Sequence, residues 1–473
     1  MSKNIQESLS YFSDKIADAI KSKKSILVTT HIDCDGITSG SIITKALIRQ
    51  GANCTVRTTN EFSQNLIERL KKEEKGLHVI TDLAGGFAKN LDASIGDNWV
   101  VLDHHQIPDE EIDNQNVINA WKFDIDGGTE ICAGGMAYLA STALNKDNTD
   151  LSGIAVVSAL GDRQDQGTKK SFLGKNQEIV KTAKELGLVD INLDLLLVGR
   201  ETRPMPDALA FTSQPFIEGL TWNRDACLAI LNSVGIELKD GARWRVTSDL
   251  DQDEKRDIIE GITKFAHGKN STEIMDELIG YTYTFPREDK RSFLRDCREF
   301  STMLNSCGRI GKSGVGISIC MGDRNKMLRE GEKILVEYRG MIREYMNVLG
   351  NERWRINSDE NCVMVNAEGL VPETMTGTIS SLIAGSPKNT GKIVILRTDS
   401  SEGTVKFSSR KSISCKSDVN LSDLMRKGAK KFDGVGGGHD AAAGAKITKD
   451  KLDEFLDYLE ENVTKMQRRD HNQ

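Results

Sequence analysis

Residues Ser25–Gly40 read SILVTTHIDCDGITSG. The first six form a short apolar, β-branched run that fits a strand, and apolar positions from Ile37 to Gln50 recur at helical spacing. A strand thus runs almost directly into a helix, with three polar residues of metal-ligating type at the junction. If the chain stays extended there, His31, Asp33 and Asp35 point to one side while Ile32 and Cys34 turn back toward apolar packing. Gly36 permits a sharp turn and a close approach of backbone to a ligand. An aspartate can also cap a helix, and a histidine can sit at a sheet edge. Two aspartates and a histidine at period two are hard to explain by capping; the spacing points to a metal site.

The alternation continues through the first 160 or so residues. Cys54–Thr59 reads as a strand, Ser63–Lys72 as a helix, and Leu77–Leu83 and Trp99–Asp103 as two further strands. Strands separated by helices imply crossover connections, hence an α/β fold with a parallel sheet. Chemistry in such sheets gathers at the carboxyl edge. Asp82 follows the third strand in ITDL, and Asp103, His104 and His105 end the fourth in VLDHH. Asp162, in SALGDRQD, ends an apolar helical segment. A lone aspartate at a strand or helix end is by itself an ordinary cap. Of seven histidines, however, His31, His104 and His105 all fall at strand ends. That many carboxylates in one crevice repel one another unless cations neutralise them. Mixed imidazole and carboxylate ligation suits Mn²⁺ ahead of Mg²⁺, and the lack of CxxC pairs speaks against structural zinc. Two such metals can activate a water and clamp a phosphoryl group, which makes phosphate-ester hydrolysis the natural reaction class.

At 473 residues the chain is too long for one core. We divide it at residues 1–190 (parallel-sheet metal-binding domain), 191–350 (mostly helical insert) and 351–465 (smaller α/β domain). The insert ends in a long charged helix, Arg324–Val348, expected to bridge two lobes. The last part carries strands at Cys362–Asn366, Lys392–Thr398 and Thr404–Ser408, the last two flanking a DSSEG hairpin signal, then helices at Leu421–Lys431 and Lys451–Val463. No run of 18 apolar residues suggests a membrane span, and the N-terminus reads as a helix rather than an export signal. Nine scattered cysteines fit reduced thiols in a cytoplasm. A net charge of −7 argues weakly against a nucleic-acid binder. Between Val405 and Lys431, though, eight Lys/Arg (Lys406, Arg410, Lys411, Lys416, Arg426, Lys427, Lys430, Lys431) stand against Asp418 and Asp423. Nearby, Gly436, Gly437 and Gly438 offer backbone N–H groups for an anion-binding concavity. His439 can add a donor, and Ala441–Ala443 lets a following helix sit close. Arg410 is a candidate phosphate clamp.

In order, HxDxDG, a lone Asp at the next strand end, DHH, and GD after a helix resemble the four motifs of the DHH phosphoesterase family. GGHDAAAG, Gly437–Gly444, resembles the signature of that family's associated C-terminal domain. Two-lobed length, the segment NSCGR (Asn305–Arg309) and the bridging helix are similar to archaeal RecJ-like exonucleases. The resemblance implies that Asp82 bridges two metals, that His31 and Asp33 serve one, and that Asp35, His104 and Asp162 serve the other. It implies catalytic or phosphate-facing roles for Asp103 and His105, and substrate contacts from Asn305 and Arg309. The expected activity is removal of nucleotides from an end of single-stranded DNA or RNA, in DNA repair or replication. The alternatives are a phosphodiesterase on very short oligonucleotides or cyclic dinucleotides, and a replisome-associated factor that binds the GINS complex and keeps a secondary nuclease activity.

Overall fold

The computed structural model describes residues 4–73, 76–266, 271–400, 403–412, 414, 415 and 417–467; Lys416 and the hairpin residues Ser401 and Glu402 lie outside the described residues. Two compact units emerge, Met1–Leu335 and Val336–Gln473.

The first unit is built on five parallel strands, β1 (Ile26–His31), β2 (Cys54–Thr59), β3 (Leu77–Thr81), β4 (Trp99–Asp103) and β5 (Val117–Asn119), in the order β2-β1-β3-β4-β5. Alternate residues feed two cores. Val28, Val79, Val100 and Leu102 pack under helices α1 (Ile5–Lys21), α2 (Cys34–Arg49) and the later α6 (Ala133–Leu144). Ile80, Trp99 and Val101 pack under α3 (Gln64–Lys72) and α4 (Ala88–Ile95). With both faces covered, β3 and β4 are buried throughout and read as continuous apolar runs. The chain continues through the single turn α5 (Asp109–Ile112), then α7 (Ser152–Gly161) and α8 (Gly174–Glu185).

The junction after β1 is not extended. Strand β1 stops at His31, Asp33 is the N-cap of α2, and Asp35 lies in the first helical turn. One oxygen of the Asp33 carboxylate accepts the Gly36 N–H at 3.0 Å, and the other lies 3.0 Å from His31 Nδ1. Gly36 serves its own strand rather than a ligand: a Cβ there would lie 2.3 Å from the His31 carbonyl oxygen. β3 is also shorter than its apolar pattern implies, because Asp82 and Ala84 adopt left-handed backbone (φ 63° and 74°) and end it at Thr81.

Between the sheet and the long helix lies a segment with its own core, including Leu209, Leu231, Ile258 and Ile262. Helices α9 (Met205–Phe211), α10 (Arg224–Ser233), α11 (Gln252–Phe265) and α12 (Ser271–Leu278) alternate with a minimal hairpin, β7 (Lys239–Asp240) and β8 (Arg243–Trp244). The segment is bracketed by an antiparallel pair the sequence pattern did not reveal, β6 (Asp190–Leu195) with β9 (Ile279–Thr284). Helices α13 (Cys297–Arg309) and α14 (Ser313–Met321) then pack against α2 and α7 around Cys34, Ile37, Val157, Phe300 and Leu304. The unit boundary falls inside α15 (Lys326–Asn351).

A buried ion network ties this segment to the first turn of α13. Asp194 receives Arg200 Nη2 at 2.7 Å and Lys255 Nζ at 2.9 Å, and Arg200 Nε lies 3.9 Å from Asp296, the N-cap of α13. Burial would raise the Asp194 pKa, but Arg200 and Lys255 hold it below the ordinary carboxylate range. The unfolded chain therefore binds the extra proton more readily, and this contribution to stability is lost as pH falls from about 4 through the folded-state value. Asp194→Asn strands two cations and should cost about 3–5 kcal/mol at neutral pH, read from urea unfolding. At pH 3 the gap from wild type should shrink.

The second unit is a six-stranded sheet in the order β10-β11-β12-β13-β15-β14. Its strands are β10 (Ile356–Ser358), β11 (Cys362–Asn366), β12 (Ile393–Asp399), β13 (Thr404–Lys411), β14 (Val435–His439) and β15 (Ala442–Thr448). One face packs Phe407, Ala445 and Ile447 against α17 (Leu421–Lys431) and α18 (Leu452–Gln467); the other meets α16 (Thr376–Ala384). No disulfide links any of the nine cysteines, and among the described residues no helix is long and apolar enough to cross a membrane.

Candidate metal centre

The carboxyl ends of β1, β3 and β4 and the end of α7 bring six side chains into two adjacent clusters. His31, Asp33 and Asp82 form one, Asp35, His104 and Asp162 the other, and within each the donor atoms lie no more than 4.8 Å apart. Asp82 faces both: its Oδ2 is 3.6 Å from His31 Nδ1, and its Oδ1 is 3.4 Å from His104 Nε2. Asp82 Oδ2 is buried without a hydrogen-bond partner. A buried carboxylate oxygen without a hydrogen-bond partner is a costly arrangement for a protein without a cation and a suitable one for a protein that binds it. The left-handed backbone of Asp82 adds strain, though aspartate tolerates that conformation better than most residues.

His104 is oriented from behind. Its Nδ1 lies 2.6 Å from the Gly127 carbonyl, which can only accept, so that nitrogen carries the proton. Nε2 is thereby directed at Asp35 Oδ2 and Asp82 Oδ1, each at 3.4 Å. Asp35 is buried at the start of α6, where it accepts the Ala133 and Gly134 N–H groups at 2.8 Å each and the Ser158 hydroxyl. Burial and the charges of Asp82 and Asp162 nevertheless push it up to about 8. Burial also carries Asp162 up to about 6 against the pull of His104. Burial disfavours the His31 cation, yet Asp33 and Asp82 outweigh it and raise its pKa to about 10. Protons thus do part of the neutralising that cations would do, and the donor set fits hard or borderline divalent ions.

Asp103 has a different task. One oxygen accepts the Gly85 N–H at 3.0 Å; the other accepts the His104 N–H and the His105 ring Nδ1, both at 2.8 Å. Against its burial, the His105 charge holds Asp103 well below the usual range. Asp103 fixes the loop after β3 and aims His105, whose side chain is 45% exposed.

Asn305 and Arg309 lie on α13, in the same unit. Asn305 Oδ1 accepts the Cys34 N–H at 3.0 Å, capping the start of α2. Burial would raise Asp33; the neighbouring His31 cation, and then Arg309, hold it far below the ordinary range. Between them Gly308 meets the loop so closely that a Cβ would sit 1.7 Å from the Ile32 carbonyl oxygen. NSCGR therefore props the His31–Asp33 loop.

Two residues escaped the sequence reading. Ser158 opens the SALGDRQD stretch, but its hydroxyl carries no signal of a role until Asp35 is seen to accept from it. Gln164 is fully buried two residues after Asp162; its amide donates to Asp162 Oδ2 at 2.7 Å, to Gly127 O at 2.8 Å and to Ile131 O at 3.2 Å. It so links Asp162 to the carbonyl that orients His104. We expect Gln164→Leu to weaken metal binding about 10–100-fold, read by titration of the purified chain.

In the second unit the GGGH stretch is not a loop before a helix. It forms β14, and Ala442 and Ala443 belong to the partner strand β15, so the glycines line a ladder rather than a helix-capping concavity. Arg410, Ala442 and His439 sit in one cross-strand row, and Ser408, Gly444 and Gly437 in the next row on the same face. Neighbouring strands lie about 4.8 Å apart, so Arg410 and His439 stand roughly 10 Å apart across one small alanine. Gly438 has φ of 141° and no room for a Cβ, which would meet Ala442 O at 2.6 Å. Arg410 Nε donates to Ser381 Oγ at 3.1 Å, fixing its guanidinium beside α16. The basic run does not form one surface. Lys406 and Arg410 share this face, whereas Arg426 and Lys427 ride on α17, across the sheet, paired with Asp423.

A parallel sheet whose carboxyl edge gathers aspartates and imidazoles around shared points is the architecture of a phosphoester hydrolase. The chain belongs to the DHH family of phosphoesterases. Residues 25–161 match the DHH family N-terminal domain, 197–279 the DHH-CID domain and 363–465 the DHHA1 domain. The uncharacterized protein MJ0831 of Methanocaldococcus jannaschii is 30% identical over 471 residues, covering 96% of this chain and 98% of that protein. RecJ from Thermus thermophilus, solved with Mn²⁺, shares the fold at a TM-score of 0.60 and 14% identity, over 97% of this chain and 55% of that one. The chain thus spans about half the length of that RecJ. CDC45 from Entamoeba histolytica shares it at a TM-score of 0.62 and 14% identity, over 97% of this chain and 99% of that one.

Proposed function

We propose that the chain is a metal-dependent exonuclease that hydrolyses phosphodiester bonds from an end of single-stranded DNA or RNA. The observation that carries this reading is Asp82, buried and shared between the two clusters. His31, Asp33 and Asp82 would hold one divalent cation; Asp35, His104, Asp162 and again Asp82 would hold the second, Mn²⁺ ahead of Mg²⁺. Two bound cations supply an activated water and offset charge on the phosphoryl oxygens. The chain's own residues do the rest. Gly127 keeps the His104 tautomer and Asp103 holds His105; in the second unit the Arg410–His439 row offers positive charge to a phosphate of the strand, with open space over Gly437.

End-labelled DNA and RNA strands of graded length, with Mn²⁺ and with Mg²⁺, test the proposal. Stepwise release of nucleotides from one end is expected. A strong preference for dinucleotides or cyclic dinucleotides would replace it with the short-substrate reading. Arg410→Ala/His439→Ala should raise KM at least about tenfold with kcat little changed, since each lost charge-assisted contact is worth about 1.5–3 kcal/mol. It should also flatten the salt dependence of strand binding.

A second reading is a replisome-associated, GINS-binding factor with secondary nuclease activity; CDC45 shares the fold over 99% of its length, as a manganese-bound RecJ exonuclease does over 95% of its own. Failure of GINS to co-purify with the native chain would reject it.

A further inference from the structure

Within the first unit a groove of about 610 Å³ opens between α8, the turn at Thr168–Lys170 and the β6–β9 pair. Its volume suits a small ligand. Phe172 and Tyr283 form an apolar floor, their rings 4.9 Å apart, and Tyr281 stands at the side with 37% of its surface exposed. Lys169, Lys181 and Lys184 line the rim. Lys169 pairs with Asp276 at 2.6 Å and Lys181 lies 3.9 Å from Glu185, whereas among the described residues no carboxylate pairs with Lys184. Glu178, the acidic group in the lining, is occupied by Lys175 at 2.8 Å.

The turn is held in an unfavourable shape. Lys169 and Lys170 are consecutive left-handed residues, φ 55° and 60°, a conformation that costs about 1–2 kcal/mol per residue. Strand β9 pins it: the Tyr283 hydroxyl donates to the Lys170 carbonyl at 3.2 Å, and the missing Cβ of Gly280 admits the Lys169 carbonyl, which would lie 2.7 Å away. The groove is also tied to the metal centre. Arg298 stacks over Tyr283 at 5.5 Å and pairs at 2.7 Å with Asp165, three residues after Asp162. Lys169 follows Asp162 by seven positions, so the two places lie within about 25 Å.

An aromatic wall with ammonium groups on its rim recognises a planar ring bearing phosphate. We propose that this groove binds a nucleotide, with its base against Tyr281 and its phosphate on Lys181 and Lys184. The inference goes beyond the proposed cleavage site and rests on that reading only for the choice of a nucleotide as ligand. The nucleotide is either a unit of the substrate strand or a free mononucleotide.

The test uses the full chain in EDTA, with 5′-AMP titrated by calorimetry and ligand-observed NMR. Saturable binding is expected. Lys181→Ala/Lys184→Ala should weaken it at least tenfold with an unchanged melting curve. Tyr281→Ala should weaken AMP but not inorganic phosphate, and Arg410→Ala/His439→Ala should leave AMP binding at this groove intact. Displacement of AMP by a twelve-residue oligothymidylate would support the groove as part of the strand's path; coexistence would support it as a separate mononucleotide site. Absent AMP binding, phosphate binding as tightly as AMP, or groove variants that bind like wild type would each overturn the proposal. Binding of AMP by a wild-type chain that cleaves no strand with Mn²⁺ would support the groove and remove the exonuclease reading; cleavage without AMP binding would do the reverse.

Discussion

Asp82→Asn is expected to lower turnover on a single strand at least about a thousandfold, which corresponds to about 4 kcal/mol of lost transition-state stabilisation. The substitution keeps the size of the side chain, and asparagine accepts the left-handed backbone at this position as readily as aspartate. What it removes is the charge that lies between His31 and His104. A purely structural role predicts a different outcome, because the buried carboxylate lies beside Asp35 and Asp162, whose pKa values it helps to raise. In EDTA the variant should stay folded, because relief of that repulsion offsets the lost attraction to His31 and His104. With Mn²⁺ added, wild type should be stabilised and the variant much less so. Retained activity in a clean preparation, or an unchanged thermal response to Mn²⁺, would remove Asp82 from the mechanism.

The second large effect is expected at a residue that has no side chain of its own. Gly308→Val places a branched side chain where a Cβ already lies 1.7 Å from the Ile32 carbonyl oxygen. A backbone group cannot swing away as a side-chain tip does, so α13 or the His31–Asp33 loop has to move. Overpacking of this kind costs about 1–3 kcal/mol or more. A displacement near 1 Å at reacting groups can cost about a hundredfold in rate. Activity should therefore fall further than stability does, measured as kcat against the urea midpoint. Gly340→Ala is the matched control: it lies within α15 with nothing within 4 Å of the added Cβ, and should stabilise the chain by up to about 1 kcal/mol. A Gly308→Val chain as active as wild type would mean that NSCGR does not hold the loop in place.

Much of the site was readable from the chain alone. Apolar runs ending in Asp or His, separated by helical spacing, placed His31, Asp82 and His104 at one edge, because parallel strands must deliver their carboxyl ends to the same side. The residues that aim the candidate ligands were not readable. Ser158 and Gln164 are a small polar residue in an apolar helix and an amide in a loop, and neither type signals a role until its partner is known. The reading of Asp33 and Asp35 as alternate residues of an extended segment has the wrong geometry, since the helix starts earlier than its apolar spacing shows.

The basic stretch after Val405 shows where a linear pattern misleads. Its charges are adjacent in sequence, yet β13 and α17 carry them to opposite faces of a sheet, and only a cross-strand register brings Arg410 level with His439.

Local sequence determined the strands, the helices, the order of the motifs and the identity of the candidate metal donors, because side-chain period and strand-end polarity are properties of short segments. Tertiary structure alone decided that Asp82 faces two clusters, that Gln164 and Gly127 orient Asp162 and His104, and that α13 braces the His31–Asp33 loop. Those relations depend on contacts between residues many positions apart, and such contacts exist only once the chain has packed.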